Sequence, residues 1–400
     1  MKIGILREEK IPVDRRVALV PQSCKQLLEQ YAHLQIFVQP SDFRCFKDEE
    51  YQRVGAILTE DLSHCDILLG IKEVPIKNLI PEKTYLFFSH TIKKQPHNRK
   101  LLQAILAKKI RLIDWETLTT PNGERLIAFG RFAGIVGAYN ALRGWGIREN
   151  SFFLKPAYQC KNLTEVWEQL QKVSLSSVKI VITGDGRVGK GAKETLEKLN
   201  IRQVTPKEFL SESFSEAVFT QLSMADYHFK TKNGSFEQQD FYKNPQEYSS
   251  SFLKYAKVAD MLIACAFWDP RAPLLFTRQE MKRPDFRIRL IADITCDING
   301  SIPSTMQATT IENPFYDYSP TQETIEKPFS SKDHITVMAI DNLPNELPIE
   351  ASSTFSQTFC EKIFPCFGHD ADSILERATI CQEGKLTRRF SYLQDYVEKE

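Results

Sequence analysis

Two ionisable side chains stand directly after short apolar runs: Lys72 in Gly-Ile-Lys-Glu-Val-Pro, after Ile67–Ile71, and His90 in Phe-Phe-Ser-His-Thr, after Thr84–Phe88. Runs of that length predict buried strands, and ligands in doubly wound sheets bind beyond the carboxyl ends of the strands. A desolvated lysine exchanges protons near neutrality and an imidazole does so unperturbed, so the pair suits acid–base work. The two residues by themselves leave open an exposed lysine and a hydrogen-bonded core histidine. Glu73, and Glu116 in Ile113-Asp114-Trp115-Glu116, carry charge that favours protonated neighbours. The pair Arg15-Arg16 and Arg125 offer guanidinium forks for carboxylates.

A second signal lies near mid-chain, where Val181 to Ala192 reads Val-Ile-Thr-Gly-Asp-Gly-Arg-Val-Gly-Lys-Gly-Ala. Gly184 would make a tight turn, Gly186 would admit a pyrophosphate to the backbone, and Gly189 would let helix pack on strand. Arg187 and Val188 complete the loop, and Gly191 extends the close contact into a helix, Gly191–Leu199, whose amino end favours phosphate. Such a fingerprint opens its own βαβ unit, so a whole domain precedes it, in the outline of a two-domain dehydrogenase. After Ile201-Arg202-Gln203-Val204 the chain reads Thr205-Pro206, where an NAD-selective fold would place an acid. NADP therefore stays open beside NAD, with Arg187 and Arg202 as candidate partners of a 2′-phosphate. The sequence contains no Gly-x-Ser-x-Gly elbow, no Gly-Lys-Ser/Thr loop and no metal-spaced histidines, which leaves hydride transfer without a metal as the expected chemistry.

The elements that would position these residues follow a βα rhythm, which predicts an α/β fold of two Rossmann-like doubly wound domains with an interdomain cleft. One domain is expected at 1–135 with 325–400, the other at 136–324 with an insertion near 210–251. Ser23 and Gln26 have capping-box spacing before a helix Cys24–Tyr31. Ala128–Trp145, small and glycine-spotted, predicts a tightly packed helix and a hinge-spanning connector, with later strands at Met261–Ala264 and Leu290–Ile294. The tail carries Val337–Ile340 and a helical stretch Glu350–Phe364 that is expected to return to the first domain. With 400 residues and a formal charge of +1, the chain is sized for two domains and offers no broad basic face for nucleic acid or an acidic membrane. The charged start and the lack of a long apolar run predict a cytoplasmic protein, and nine scattered cysteines predict reduced thiols.

Several stretches resemble the saccharopine dehydrogenase and alanine dehydrogenase superfamily, most closely its lysine/2-oxoglutarate reductase branch, and the resemblance runs nearly end to end. They are Arg15-Arg16-Val17-Ala18-Leu19-Val20-Pro21, Lys83 to Lys93, Ile110 to Glu116, Ala292 to Asp297, and Ile340-Asp341-Asn342-Leu343-Pro344. The resemblance implies Lys72 and His90 as the acid/base pair, Arg16, Lys93 and Arg125 around substrate carboxylates, and Phe129 as an aromatic wall. It further implies Glu73 and Glu116 as charge-tuning acids and Asp341 on the nicotinamide side. The implied reaction is reversible condensation of the L-lysine ε-amine with 2-oxoglutarate and reduction by NAD(H) or NADP(H) to saccharopine, in a cleft that closes over the imine. Implied partners are these small molecules, with the chain as monomer or homo-oligomer. The alternatives are an alanine dehydrogenase-like enzyme and a non-catalytic nucleotide-binding regulator.

Overall fold

The computed structural model describes residues 1–399. The chain divides into two compact units, one of residues 1–129 with 348–400 and the other of residues 130–347. The strands are, in chain order, β1 (Lys2–Ile5), β2 (Gln35–Val38), β3 (Ile57–Leu58), β4 (Ile67–Leu69), β5 (Thr84–Phe87), β6 (Arg111–Asp114), β7 (Lys179–Thr183), β8 (Arg202–Gln203), β9 (Val218–Leu222) and β10 (His228–Lys230). They continue as β11 (Tyr248–Ser250), β12 (Met261–Ala264), β13 (Leu290–Asp293), β14 (Tyr316–Ser319), β15 (Thr324–Glu326), β16 (Ile335–Met338), β17 (Thr379–Gln382) and β18 (Lys385–Leu386).

In the first unit the sheet order is β18-β17-β6-β5-β4-β1-β2-β3. The six amino-terminal strands are parallel, and β17 closes one side antiparallel to β6. The strands β1, β4, β5 and β6 are almost wholly buried, as strands covered by helices on both faces must be. Parallel pairing brings their carboxyl ends to one edge, and those ends lead into Glu8, Lys72, His90 and Glu116. The helix expected at Cys24–Tyr31 spans Pro21–Gln30. Its first turn is set by Pro21, whose fixed φ suits that position, and Ser23 is a buried residue inside the helix rather than its cap.

The second unit has its own sheet, β15-β14-β16-β13-β12-β7-β9-β8, and its own apolar core built on residues such as Val181, Leu262, Ile291 and Val337. The glycine-spotted helix spans Gly130–Arg148 and belongs to this unit along its whole length. It packs on the Arg187–Lys198 helix so closely that a Cβ on Gly134 would collide with the Val188 carbonyl, and one on Gly191 with the Arg131 carbonyl.

Two expectations are corrected here. The first unit ends at 129 rather than 135 and resumes at 348 rather than 325, because the Gly130–Arg148 helix belongs to the second unit and β15 and β16 pair within its sheet. The stretch 210–251 is not an insertion throughout: Val218–Leu222 is β9, a buried strand beside β7, and only the β10–β11 hairpin stands outside the main sheet. All nine cysteines are free thiols, and among the described residues no helix is long and apolar enough to cross a membrane.

Candidate active site

Three side-chain anchors hold the carboxyl ends of β4, β5 and β6 in register. Asp114, buried at the end of β6, accepts the Ser89 N–H at 2.8 Å and the Ser89 hydroxyl at 2.5 Å through Oδ2. Its Oδ1 accepts the Glu116 N–H at 2.7 Å, and the Trp115 indole donates to the Gly70 carbonyl at 2.8 Å. The Phe-Phe-Ser-His and Ile-Asp-Trp-Glu stretches are thus one bracket, and what it presents are His90 and Glu116.

His90 sits in left-handed backbone, φ 53°, a conformation that a non-glycine residue holds only when its surroundings impose it. Its Nδ1 lies 2.7 Å from Glu73 Oε1, while Lys10 Nζ lies 2.6 Å from Glu73 Oε2. Desolvation would raise the Glu73 carboxyl, but the hydrogen bonds from His90 and Lys10 outweigh it and bring the group down to about 2. A carboxylate only accepts, so the Nδ1 carries the proton and Nε2 of the neutral ring is left as the basic atom.

Lys72, one residue earlier, is half-buried. Its backbone N–H and that of Ile71 donate to the two oxygens of Glu8, at 2.9 and 2.6 Å. Burial, and then the negative charge of Asp14, raise Glu8 to about 8 against those two bonds and the charge of Arg16. Asp14 itself is held below its usual range: burial opposes, and the charge and hydrogen bonds of Arg16 and the charge of Lys72 prevail. Glu8, Lys72 and Glu73 line a cavity of about 230 Å³.

The two neighbouring arginines part company. Arg15 is exposed, whereas Arg16 is 4% exposed and grips Asp14 through Nε (3.0 Å) and Nη2 (2.6 Å). Its guanidinium carbon lies 4.2 Å from the centre of the Phe129 ring, which stacks on Phe355 at 4.5 Å and 7°. The segment after Arg16 is tied to the Pro348–Thr358 helix by Val17 N–H to Ser352 Oγ and Val20 N–H to Ser356 Oγ. Arg125 lies over Phe88 at 5.5 Å, and Glu116 faces both Arg125 (3.9 Å) and Lys93 (3.6 Å). Arg16, Lys72, Glu73, His90, Lys93, Glu116, Arg125 and Phe129 therefore stand in one unit around one sheet edge. Glu8, Lys10, Asp14 and Phe88 were not expected. Glu8 follows β1 just as Lys72 follows β4, so the rule that singled out Lys72 applies to it equally.

In the second unit Gly184 takes φ +88° with its backbone against Ala266, a turn closed to side chains. Gly186 starts the Arg187–Lys198 helix and has open space where a Cβ would stand; Gly189 is closed off by the Gly184 carbonyl. An exposed backbone at the amino end of a 12-residue helix, with Arg187 exposed and Val188 half-buried beside it, fits a pyrophosphate. Gly191 serves the helix–helix contact instead. Asp341 is exposed beyond β16 at the same sheet edge, near enough to the Cys296 thiol for its charge, after burial, to raise that group to about 12. It stands three strands from the glycine strand, on the order of 14 Å. Asp293, in the Ala-Asp-Ile-Thr-Cys-Asp stretch, brackets its own loop by accepting from Thr295, Cys296 and Thr305.

The segment read for the ribose lies one strand further from the glycine strand than expected. The strand beside β7 is β9, not β8, and Arg202 aligns with Val218 and so with Lys179, at the opposite end of the sheet from the glycine turn. Arg202 pairs there with Glu216 at 2.9 Å, and Thr205 caps the Pro206–Ser211 helix. The segment level with the glycine turn is Ser223-Met224-Ala225-Asp226: Gly184 N–H donates to the Leu222 carbonyl, and Asp226 Oδ2 accepts from Ser223 N and Oγ.

An α/β fold of two such units defines the class of the protein. Residues 4–136 match the family model described as "Alanine dehydrogenase/PNT, N-terminal domain". A solved L-alanine dehydrogenase has the same fold, with TM-score 0.66 at 17% identity over 99% of either chain. The mitochondrial alpha-aminoadipic semialdehyde synthase of Mus musculus is 31% identical over 99% of this chain and 48% of its own length, so the chain spans about half of that curated relative. The NAD(+), L-lysine-forming saccharopine dehydrogenase of Emericella nidulans is 30% identical over 88% of both proteins. The chain belongs to the saccharopine dehydrogenase branch of the alanine dehydrogenase superfamily.

Proposed function

We propose that the protein interconverts saccharopine with L-lysine and 2-oxoglutarate, using NAD(H) or NADP(H). The observation that carries this reading is the His90–Glu73–Lys10 chain beside Lys72, with two arginines on aromatic rings at the same sheet edge. Joining an amine to a 2-oxo acid requires protons to move twice, once to expel water from a carbinolamine and once as the imine is reduced. Two proton carriers of different chemistry suit those two transfers.

In this reading Arg16, fixed by Asp14 and Phe129, and Arg125, over Phe88, orient substrate carboxylates. His90 Nε2 takes or gives a proton while Glu73 keeps Nδ1 protonated and stabilises the imidazolium. Lys72, whose backbone N–H is held by Glu8 and whose charge acts on Asp14, is the second carrier. Glu116 sets the charge around Lys93 and Arg125. The glycine turn and the amino end of the Arg187–Lys198 helix hold the cofactor's pyrophosphate, and the bound cofactor supplies the hydride. Asp341 lies toward the nicotinamide.

The test is oxidation of NADH and of NADPH by the purified protein with 2-oxoglutarate and lysine, against pyruvate and ammonia. Turnover with lysine alone is the expected result. Turnover only with pyruvate makes the protein an alanine dehydrogenase, and cofactor binding without turnover makes it a nucleotide-binding regulator.

A further inference from the structure

A groove of about 970 Å³ runs along the β17–β18 side of the first unit's sheet and shares no lining residue with the acid–base cluster. Five cationic side chains line it, Arg111, Arg377, Lys385, Arg388 and Arg389, against the two carboxylates Glu376 and Glu383. Among the described residues none of the five forms an ion pair, whereas Arg7, Arg131, Arg271 and Arg287 each have a carboxylate partner.

Two of the five are fixed by neutral oxygens. Arg111 directs Nε and Nη2 to Thr379 Oγ1, each at 3.4 Å. Arg377 donates through Nη2 to the Thr119 carbonyl at 2.8 Å and through Nη1 to the Asp372 carbonyl, while its buried Nε has no partner. Burial holds the Arg111 guanidinium below its usual range, with the charge of Asp370 opposing. Desolvating a guanidinium without a carboxylate in direct contact is costly, and the cost is recovered when an anion arrives. Lys385, Arg388 and Arg389 are exposed on the rim, where they raise the local concentration of anions.

We propose that this groove binds a small polyanion, a molecule carrying at least two carboxylate or phosphate groups, with Arg111 and Arg377 at its floor and Lys385, Arg388 and Arg389 at its rim. The assignment stands apart from the proposed reaction.

The experiment is calorimetric titration of the whole protein with citrate and with inorganic pyrophosphate at constant ionic strength, repeated on R388A/R389A and on R377Q. Both substituted rim residues are exposed, so the double variant keeps its fold, which its melting temperature checks. Saturable binding of either probe, weakened at least fivefold in R388A/R389A and in R377Q, is expected; citrate alone names carboxylates as the ligand chemistry and pyrophosphate alone names phosphates. Absence of saturable binding of both probes, or a loss below fivefold in R388A/R389A, overturns the proposal.

Discussion

With its carboxyl held at about 2, Glu73 carries a negative charge 2.7 Å from the His90 ring across the whole working pH range. Replacing it by Gln keeps a hydrogen-bond acceptor but removes the charge that favours imidazolium. In Glu73→Gln, with the acceptor kept and the charge gone, kcat/KM should fall about tenfold while cofactor affinity holds; unchanged kinetics would detach Glu73 from the chemistry. Lys72→Met should lower kcat by about 10²-fold or more with little change in cofactor affinity, as measured by steady-state kinetics and nucleotide titration. Position after a strand was enough to single out Lys72 and His90 as candidates, and the resemblance, not the position, assigned them a role. Asp14 was not legible, because nothing in the sequence says that Arg16 turns inward while Arg15 turns out. A separate residue, Glu346, is buried with Oε1 on Asn140 Nδ2 at 2.7 Å and Oε2 without a partner, and burial, partly offset by Asn140, raises it to about 7. The folded chain therefore keeps a proton that the unfolded chain releases above its ordinary value of 4.5, and stability falls as pH rises from there to about 7, by roughly 3 kcal/mol. Glu346→Gln should melt higher than the parent at pH 8, by roughly 5 °C, and nearly alike at pH 4.5; equal melting at both would sink the argument.

At the scale of elements, what matters is which strand lies beside the glycine strand. The sequence shows β7 and its following helix plainly, and it shows that short strands follow. It does not show that the chain crosses to the outer position for β8 before returning to form β9 against β7, since strand order is fixed by contacts between residues far apart in the chain. Thr220 and Gln221 also break the apolar pattern of β9, which hid a buried strand in a polar-looking stretch. The consequence concerns cofactor choice. The Ser223–Asp226 segment follows the strand beside β7, the position from which a doubly wound fold reads the adenosine ribose, and a carboxylate at Asp226 would disfavour a 2′-phosphate there. Asp226→Asn should raise kcat/KM for NADPH relative to NADH by about fivefold, on the scale of one removed charge. Arg202→Ala, at the far end of the sheet, should leave that ratio unchanged. A shift with Arg202 and none with Asp226 would return the ribose to β8.

On the scale of the whole molecule, the chain enters the first unit, leaves it once after Phe129, and returns to it at Pro348. The second unit is therefore a single continuous stretch with an eight-stranded sheet, a core of its own, and the close pairing of the Gly130–Arg148 and Arg187–Lys198 helices inside it. A stretch of about 200 residues buries roughly 70% of the surface its unfolded chain exposes, which is ample for independent stability. Residues 130–347 expressed alone should therefore unfold in one cooperative transition and bind NADH or NADPH, read by circular dichroism and by nucleotide fluorescence. The complementary unit has no such option, because β17 and β18 reach its sheet only from the far end of the chain. Gly134→Val in the fragment should abolish or strongly weaken folding, since its side chain would meet the Val188 carbonyl and the Ala192 amide of the partner helix rather than a movable side chain. A fragment that folds but tolerates Gly134→Val would mean that the two helices separate in solution; one that stays unfolded would mean that its core needs the first unit.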